Sequence, residues 1–258
     1  MNKPPKKIQR KDRIGIMDDL RGLSVLCMIF YHGFFLLFTV FGYLIGESLF
    51  KIFMPLQPIF ASIFIIISGV SSNFSRSNAK RGLKLLLIAL VLSIVTIYLL
   101  PLMGIKGLGI RFGILHMMAC SMLLYALVRP GLSKLSPQLG FAIFAALFVL
   151  TYNITAGKIG LPGLLELKLP AELFTTDYLF SLGFRPPKDF ESADYFPIIP
   201  YTFLFLAGTF LGRLPTPQWA KPVRVRAFAF CGRHALWIYI IHQPVLMVIF
   251  AIVQWIFG

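Results

Sequence analysis

Four histidines stand where a chain rarely places them. His32 lies in Met28-Ile-Phe-Tyr-His32 and His116 in Gly113-Ile-Leu-His116. His234 and His242 both belong to Gly232-Arg-His-Ala-Leu-Trp-Ile-Tyr-Ile-Ile-His242-Gln-Pro244, at the start of the last apolar run. Burying a polar side chain in such surroundings costs free energy unless it is paired or hydrated. Neutral imidazole is less costly to bury than a carboxylate and is a base near neutral pH, so proton transfer is chemistry these residues can supply. A structural hydrogen bond to a neighbouring helix is the other reading of each one taken alone.

Spacing adds further candidates. Arg21, Met28 and His32 fall on one helical stripe, because eleven residues is close to three whole turns. Asp18 precedes Arg21 by three residues and pairs with it if the helix begins early, although both also suit plain anchoring at the headgroups. The run Ser68-Gly69-Val70-Ser71-Ser72-Asn73 offers small polar residues for close helix approach or for backbone contact with a ligand. In Asp194-Tyr-Phe-Pro197-Ile-Ile-Pro200-Tyr201 the prolines suit a helix start, and Asp194 and Tyr201 are placed to face a pocket. Cys27, Cys120 and Cys231 lack metal-ligand spacing and read as small packing residues.

The elements that must position these residues are membrane helices. Of 258 residues 57% are hydrophobic and only 14% charged, and the mean hydropathy is +0.80. A soluble domain needs far more charge to cover its surface. The apolar runs are long enough to cross a hydrocarbon core of roughly 30 Å. The reading is an all-α, polytopic transmembrane bundle of about seven helices, placed at 22–45, 52–73, 82–102, 110–128, 138–156, 195–212 and 232–257. The first run follows a basic segment but exceeds a signal-peptide core of about 7–15 residues and lacks a small-x-small cleavage pattern, so it reads as a retained helix.

Charge sets the expected orientation. Segments on the N-terminal side of the membrane hold eighteen basic residues, including Lys3, Lys6, Lys7, Arg10, Lys11 and Arg13, against seven on the other side. Basic residues concentrate on the cytoplasmic face, which predicts N-in and C-out in a cytoplasmic (inner) membrane. The net charge of +15 has this explanation and does not call for nucleic acid. Residues 1–13 form a basic cytoplasmic tail and 14–258 the membrane domain. The longest connection, about 157–194, lies outside and carries Glu166, Glu172, Asp177, Asp189, Glu191 and Asp194. Its Leu164, Leu165, Leu167 and Leu169 suggest a short element on the membrane surface.

Taken in order, Asp18-Asp-Leu-Arg21-Gly22, Met28-x3-His32, Ser68-Gly69-x-Ser71, Gly113-x2-His116, Asp194-Tyr-Phe-Pro197-x2-Pro200 and the Gly232–Pro244 motif resemble the bacterial relatives of heparan-α-glucosaminide N-acetyltransferase, within a wider superfamily of transmembrane acyltransferases. The resemblance spans about 13–250. It implies an enzyme that takes an acetyl group from cytosolic acetyl-CoA and delivers it to a sugar or glycolipid at the outer face, with no metal. It implies a donor site among Arg21, Arg81, Arg233, Ser68 and Gly69, where cationic side chains meet phosphates. His32, as general base or transient acyl carrier, His116, His242 and Asp18 become the catalytic candidates, and Asp194 and Tyr201 the acceptor candidates. A homodimer is compatible with it. The alternatives are a transporter or flippase with the same polar core, disfavoured by uninterrupted helices and the absence of an internal repeat, and an accessory membrane protein whose polar residues serve packing.

Overall fold

The computed structural model describes residues 14–176, 178–185, 190 and 192–257. The expected basic tail, and Asp177, Lys188, Asp189 and Glu191 of the long connection, lie outside the described residues. Among those described, six helices are long and apolar enough to cross a membrane: α1 (Gly15–Thr39), α2 (Leu44–Ser72), α3 (Asn78–Leu102), α4 (Ile114–Leu132), α5 (Pro137–Ala156) and a last one (Ala235–Ile256). A shorter apolar helix, α6 (Ile198–Leu211), brings the expected number to seven. An eighth helix, α7 (Arg226–Arg233), precedes the last, here α8. The architecture is therefore an all-α, multi-pass membrane bundle.

Helix starts carry the signals that the physics of an unsatisfied first turn demands. Ser77 caps α3 by accepting the Lys80 N–H at 3.2 Å. Ser136 caps α5 by accepting the Leu139 N–H at 3.3 Å, with Pro137 at the first helical position. Large apolar side chains such as Leu44, Leu87, Leu127 and Trp255 are exposed, as a lipid-facing surface requires. Two spans contain local irregularities: a 3-10 turn at Met54–Leu56 around Pro55, and a π segment at Val95–Leu99. Neither unwinds its helix.

The chain divides into two compact units. One holds the described chain up to Phe64 together with Pro215 onward, and so contains α1, the first part of α2, α7 and α8. Here Gly15, Asp19 and Gly22 form one buried face of α1. Packing is so close that a side chain on Gly22 would meet the Phe228 carbonyl, and one on Gly232 would meet the Asp18 carbonyl. Those glycines let α1 and α7 approach backbone to backbone. Gly33 faces Leu246 and Phe250 of α8.

The second unit, Ile65–Leu214, holds the rest of α2 and α3 to α6. Half of the α4 span is buried, against 11% for α5, so α4 is the inner helix. A buried Ser121–Thr202 hydroxyl pair at 2.7 Å ties α4 to α6. Phe210 of α6 packs over Gly140 and against Phe144 of α5. Within the long connection, β1 (Lys158–Leu161) and β2 (Leu165–Lys168) form an antiparallel hairpin. The leucines expected in a surface element belong to it, with Leu164 82% and Leu165 67% exposed.

Several boundaries move. α1 begins at Gly15, seven residues before the expected 22, because the small-residue face Gly15-x3-Asp19-x2-Gly22 continues the helix beneath α7. α4 runs over Ile114–Leu132 where 110–128 is expected: residues 108–113 are strapped as a loop, and Pro130 is accommodated in the last turn. The expected helix 232–257 is broken at His234, whose backbone (φ −106°, ψ 15°) ends α7 before α8 starts at Ala235.

Candidate active site

Two histidines separated by 210 residues meet inside the first unit. His32, in the second half of α1, and His242, about two turns into α8, are each 6% exposed. His32 Nδ1 lies 2.8 Å from His242 Nε2, and His242 Nδ1 lies 2.7 Å from the Tyr239 carbonyl oxygen. The ring planes are within 21° of each other, so the rings meet edge to edge. Pro244 lies inside α8 and has no N–H to donate within the helix.

These contacts select the protonation pattern. A carbonyl only accepts, so His242 Nδ1 carries the hydrogen and donates it to Tyr239. Neutral His242 then has a lone pair on Nε2, and His32 Nδ1–H donates to it. His32 Nε2 is left with its lone pair, and it makes no hydrogen bond among the described residues. The chain Tyr239 carbonyl, His242, His32 thus aims one basic nitrogen out of a fixed ring. The Tyr31 ring lies 5.5 Å from the His32 ring and 4.9 Å from that of Phe50, which holds the imidazole from one side.

The expected pair at the start of α1 is present. Arg21 Nη1 lies 3.5 Å from Asp18 Oδ1, both side chains largely buried. The early start of α1 puts both residues on the helix and makes this i,i+3 contact possible. Asp19, beside them, is 6% exposed. Its Oδ2 accepts the Arg224 N–H at 2.7 Å, and its Oδ1 has no partner among the described residues. Sequence reasoning passed over Asp19; its signal was its place between Gly15 and Gly22 on one helical face.

His116 and Asp194 come together in the second unit, in a different arrangement. The Ile114 N–H donates to Asp194 Oδ2 at 2.9 Å, and the Gly113 N–H donates to His116 Nδ1 at 3.2 Å. Both side chains satisfy the first turn of α4. A side chain at Gly113 would meet the Asp194 carboxylate, so glycine is needed there. With Nδ1 accepting, His116 Nε2 carries the hydrogen and donates to Ser93 Oγ at 3.2 Å, and Ser93 donates to the Ile110 carbonyl at 2.7 Å. Both nitrogens of His116 are therefore engaged by the protein. Ser93 was also passed over; with Thr96 it is one of the few hydroxyls in an otherwise apolar stretch of α3.

The surrounding loop is tied down on both sides. The Ile110 N–H donates to Thr96 Oγ1 at 3.1 Å, and the Ala193 N–H donates to the Gly109 carbonyl at 2.9 Å. Burial pushes the Tyr195 phenol up to about 12, with Arg185 opposing. It stays protonated and donates to the Phe180 carbonyl at 2.6 Å.

The remaining candidates take other places. Gly69 packs on the Phe205 carbonyl and on Gly208 of α6, and Ser72 hydroxyl donates to the Ser68 carbonyl at 3.0 Å. This is the helix-packing reading of the segment. Tyr201 is half-buried between Phe196 and Phe148. Arg81 and Arg233 are exposed. His234 is exposed at the break between α7 and α8, its Nδ1 2.9 Å from the Phe230 carbonyl. It is not a buried intramembrane histidine, because the α7 cap, and not a membrane span, surrounds it.

The fold and these sites define a multi-pass helical membrane protein with a buried imidazole pair. The family model "Heparan-alpha-glucosaminide N-acetyltransferase, catalytic" matches residues 13–244, nearly the whole chain, and the protein belongs to that family of membrane acyltransferases. No curated protein and no solved structure matches it.

Proposed function

We propose that this protein takes an acetyl group from cytosolic acetyl-CoA and passes it to a sugar or glycolipid at the opposite face of a cytoplasmic membrane, in an N-in, C-out topology. The observation that carries the reading is the His32–His242 hydrogen bond, which leaves His32 Nε2 as an oriented base. In the proposed step His32 Nε2 takes the proton from an acceptor hydroxyl or amine as that atom attacks the thioester carbonyl. The carbon–sulfur bond breaks, and the departing thiolate of coenzyme A takes the proton back from His32. His242 shares the positive charge that His32 carries between the two transfers.

Arg21 and Arg233, with Asp18 fixing the Arg21 guanidinium, are assigned to the donor's phosphates, and exposed Arg81 to the same class of contact. Arg21 and His32 are eleven residues apart on α1, about 16 Å along its axis, a span that suits the long pantetheine arm between phosphates and thioester. Ser68 and Gly69 act on the donor only through helix packing. Asp194 and Tyr201 remain the acceptor candidates. His116 is a positioning residue, since both its nitrogens already have partners.

Purified protein reconstituted in vesicles tests this. Release of free coenzyme A from acetyl-CoA, stimulated by an amino-sugar acceptor, is the expected result. Movement of a solute with no acyl donor, and no thioester turnover, would favour the transporter reading instead.

A further inference from the structure

The segment from Pro215 through α7 is not used by the proposed chemistry apart from Arg233 at its end. It holds Lys221, Arg224, Arg226 and Arg233 and no acidic residue. Its backbone is fixed to the first turns of α1. The Gly15 N–H donates to the Lys221 carbonyl at 2.9 Å, the Arg224 N–H donates to Asp19, and Ala229 and Gly232 are the buried residues of α7. The side chains that remain outside alternate between two types. Lys221, Arg224 and Arg226 are exposed, and so are Trp219 (61%), Val223, Val225 and Phe230 (57%).

The acids packed against this segment do not neutralise it. Asp18 faces Arg21, and the Asp19 oxygen that reaches the segment is engaged by a backbone N–H. The nearest partner of the Arg224 guanidinium is the Trp219 carbonyl at 3.4 Å. The position is as informative as the charge. α8 enters its membrane span at Ala235, two residues beyond Arg233, and α1 begins its span at Gly15 where the segment is pinned. The segment therefore lies at the level where both spans begin, which is the headgroup level. Cations interleaved with tryptophan, phenylalanine and valine suit a phosphate diester with acyl chains behind it. A soluble polyphosphate shares the anionic chemistry but has no use for the apolar half of the surface.

We propose that Trp219–Arg226, held on α1 by Asp19 and Gly15, binds the headgroups of anionic phospholipids. The proposal needs only the membrane assignment and is independent of the acyl-transfer reading. The test uses the full chain with Trp237→Phe and Trp255→Phe, which leaves Trp219 as the sole tryptophan; both replaced residues are exposed. The protein is reconstituted in phosphatidylcholine vesicles carrying equal mole fractions of brominated phosphatidylglycerol or brominated phosphatidylcholine. Trp219 should be quenched at least about twofold more by the anionic lipid, and Lys221→Gln/Arg224→Gln/Arg226→Gln should abolish the excess without lowering the melting temperature. Lipid co-purifying with the otherwise unmodified chain, analysed by mass spectrometry, gives a second readout: anionic lipid enriched over the bulk membrane, and less so for the triple variant. Equal quenching by both lipids, an excess that survives the triple variant, or an excess removed by soluble coenzyme A would each overturn the proposal.

Discussion

His32 and His242 share a single hydrogen bond of 2.8 Å between Nδ1 of the first and Nε2 of the second, and the Tyr239 carbonyl fixes its direction. The bond orients a nitrogen that helix α1 alone would leave free to rotate. It also joins α1 to α8, so a catalytic reading and a structural one make different demands on the same two side chains.

Arg21 is assigned to donor phosphates. Arg21→Ala should raise the Michaelis constant for acetyl-CoA by about tenfold or more, the loss of a charge-assisted contact of about 1.5–3 kcal/mol, while kcat in the saturated enzyme changes little. Because both side chains of the Asp18–Arg21 pair are largely buried, the melting temperature is followed alongside, which separates loss of the pair from loss of the donor contact. Steady-state kinetics with varied donor checks this; an unchanged Michaelis constant removes Arg21 from the site.

The α1–α7 contact has no room for a methyl group. Gly22→Ala and Gly232→Ala should each destabilise the detergent-solubilised protein by about 1–3 kcal/mol or more, since the obstacles are backbone carbonyls that cannot rotate away. Gly33→Ala, which faces only side-chain atoms, the nearest a Leu246 methyl at 3.6 Å, should be tolerated. Melting temperatures of the three variants rank them directly.

His116 and Asp194 finish the first turn of α4. Asp194→Ala should cost about 1–2 kcal/mol as a lost cap, and His116→Ala a similar amount. The folded fraction of His116→Ala should keep its turnover rate, because neither ring nitrogen is available to substrate. Kinetics normalised to active-site concentration, alongside thermal melting, makes the distinction; a kcat that collapses with stability intact would move His116 into the chemistry.

The hairpin responds to acid. Hydrogen bonds from Lys158 and then Asn153 hold the Glu166 carboxyl below the usual carboxylate range. A depressed value means that the ionised form supports the hairpin. Its contribution is complete above the unfolded-chain value of about 4.3 and is lost as pH falls through the lower folded value. Protection of the Lys158–Lys168 amides, taken as the exchange rate relative to the intrinsic rate at each pH, should therefore be high at neutral pH and fall on acidification below that range, and Glu166→Gln should remove this change.

Much of this was legible in the sequence because bilayers impose local rules. Apolar length gave the spans, and the i,i+3 spacing of Asp18 and Arg21 gave their pairing. The eleven-residue interval placed His32 on the Arg21 stripe. What escaped depends on contacts between distant positions. No periodicity links Asp19 to residue 224, or Asp194 to the first turn of α4, eighty residues away. His234 shows the opposite error: Gly232–Pro244 reads as the start of one helix, and only the backbone break at His234 reveals that α7 has ended before α8 begins. His32 and His242 were each visible as costly polar residues, but their 2.8 Å contact is a property of how α1 and α8 pack.

The central claim is that His32 Nε2 is the base for acyl transfer. It is tested most directly by transfer of labelled acetyl from acetyl-CoA to an amino-sugar acceptor in reconstituted vesicles, comparing the natural chain with His32→Ala under saturating donor. The account predicts a fall in kcat of about 10²–10⁴-fold, with coenzyme A affinity and melting temperature close to those of the natural chain. Transfer at an undiminished rate by folded His32→Ala would contradict it.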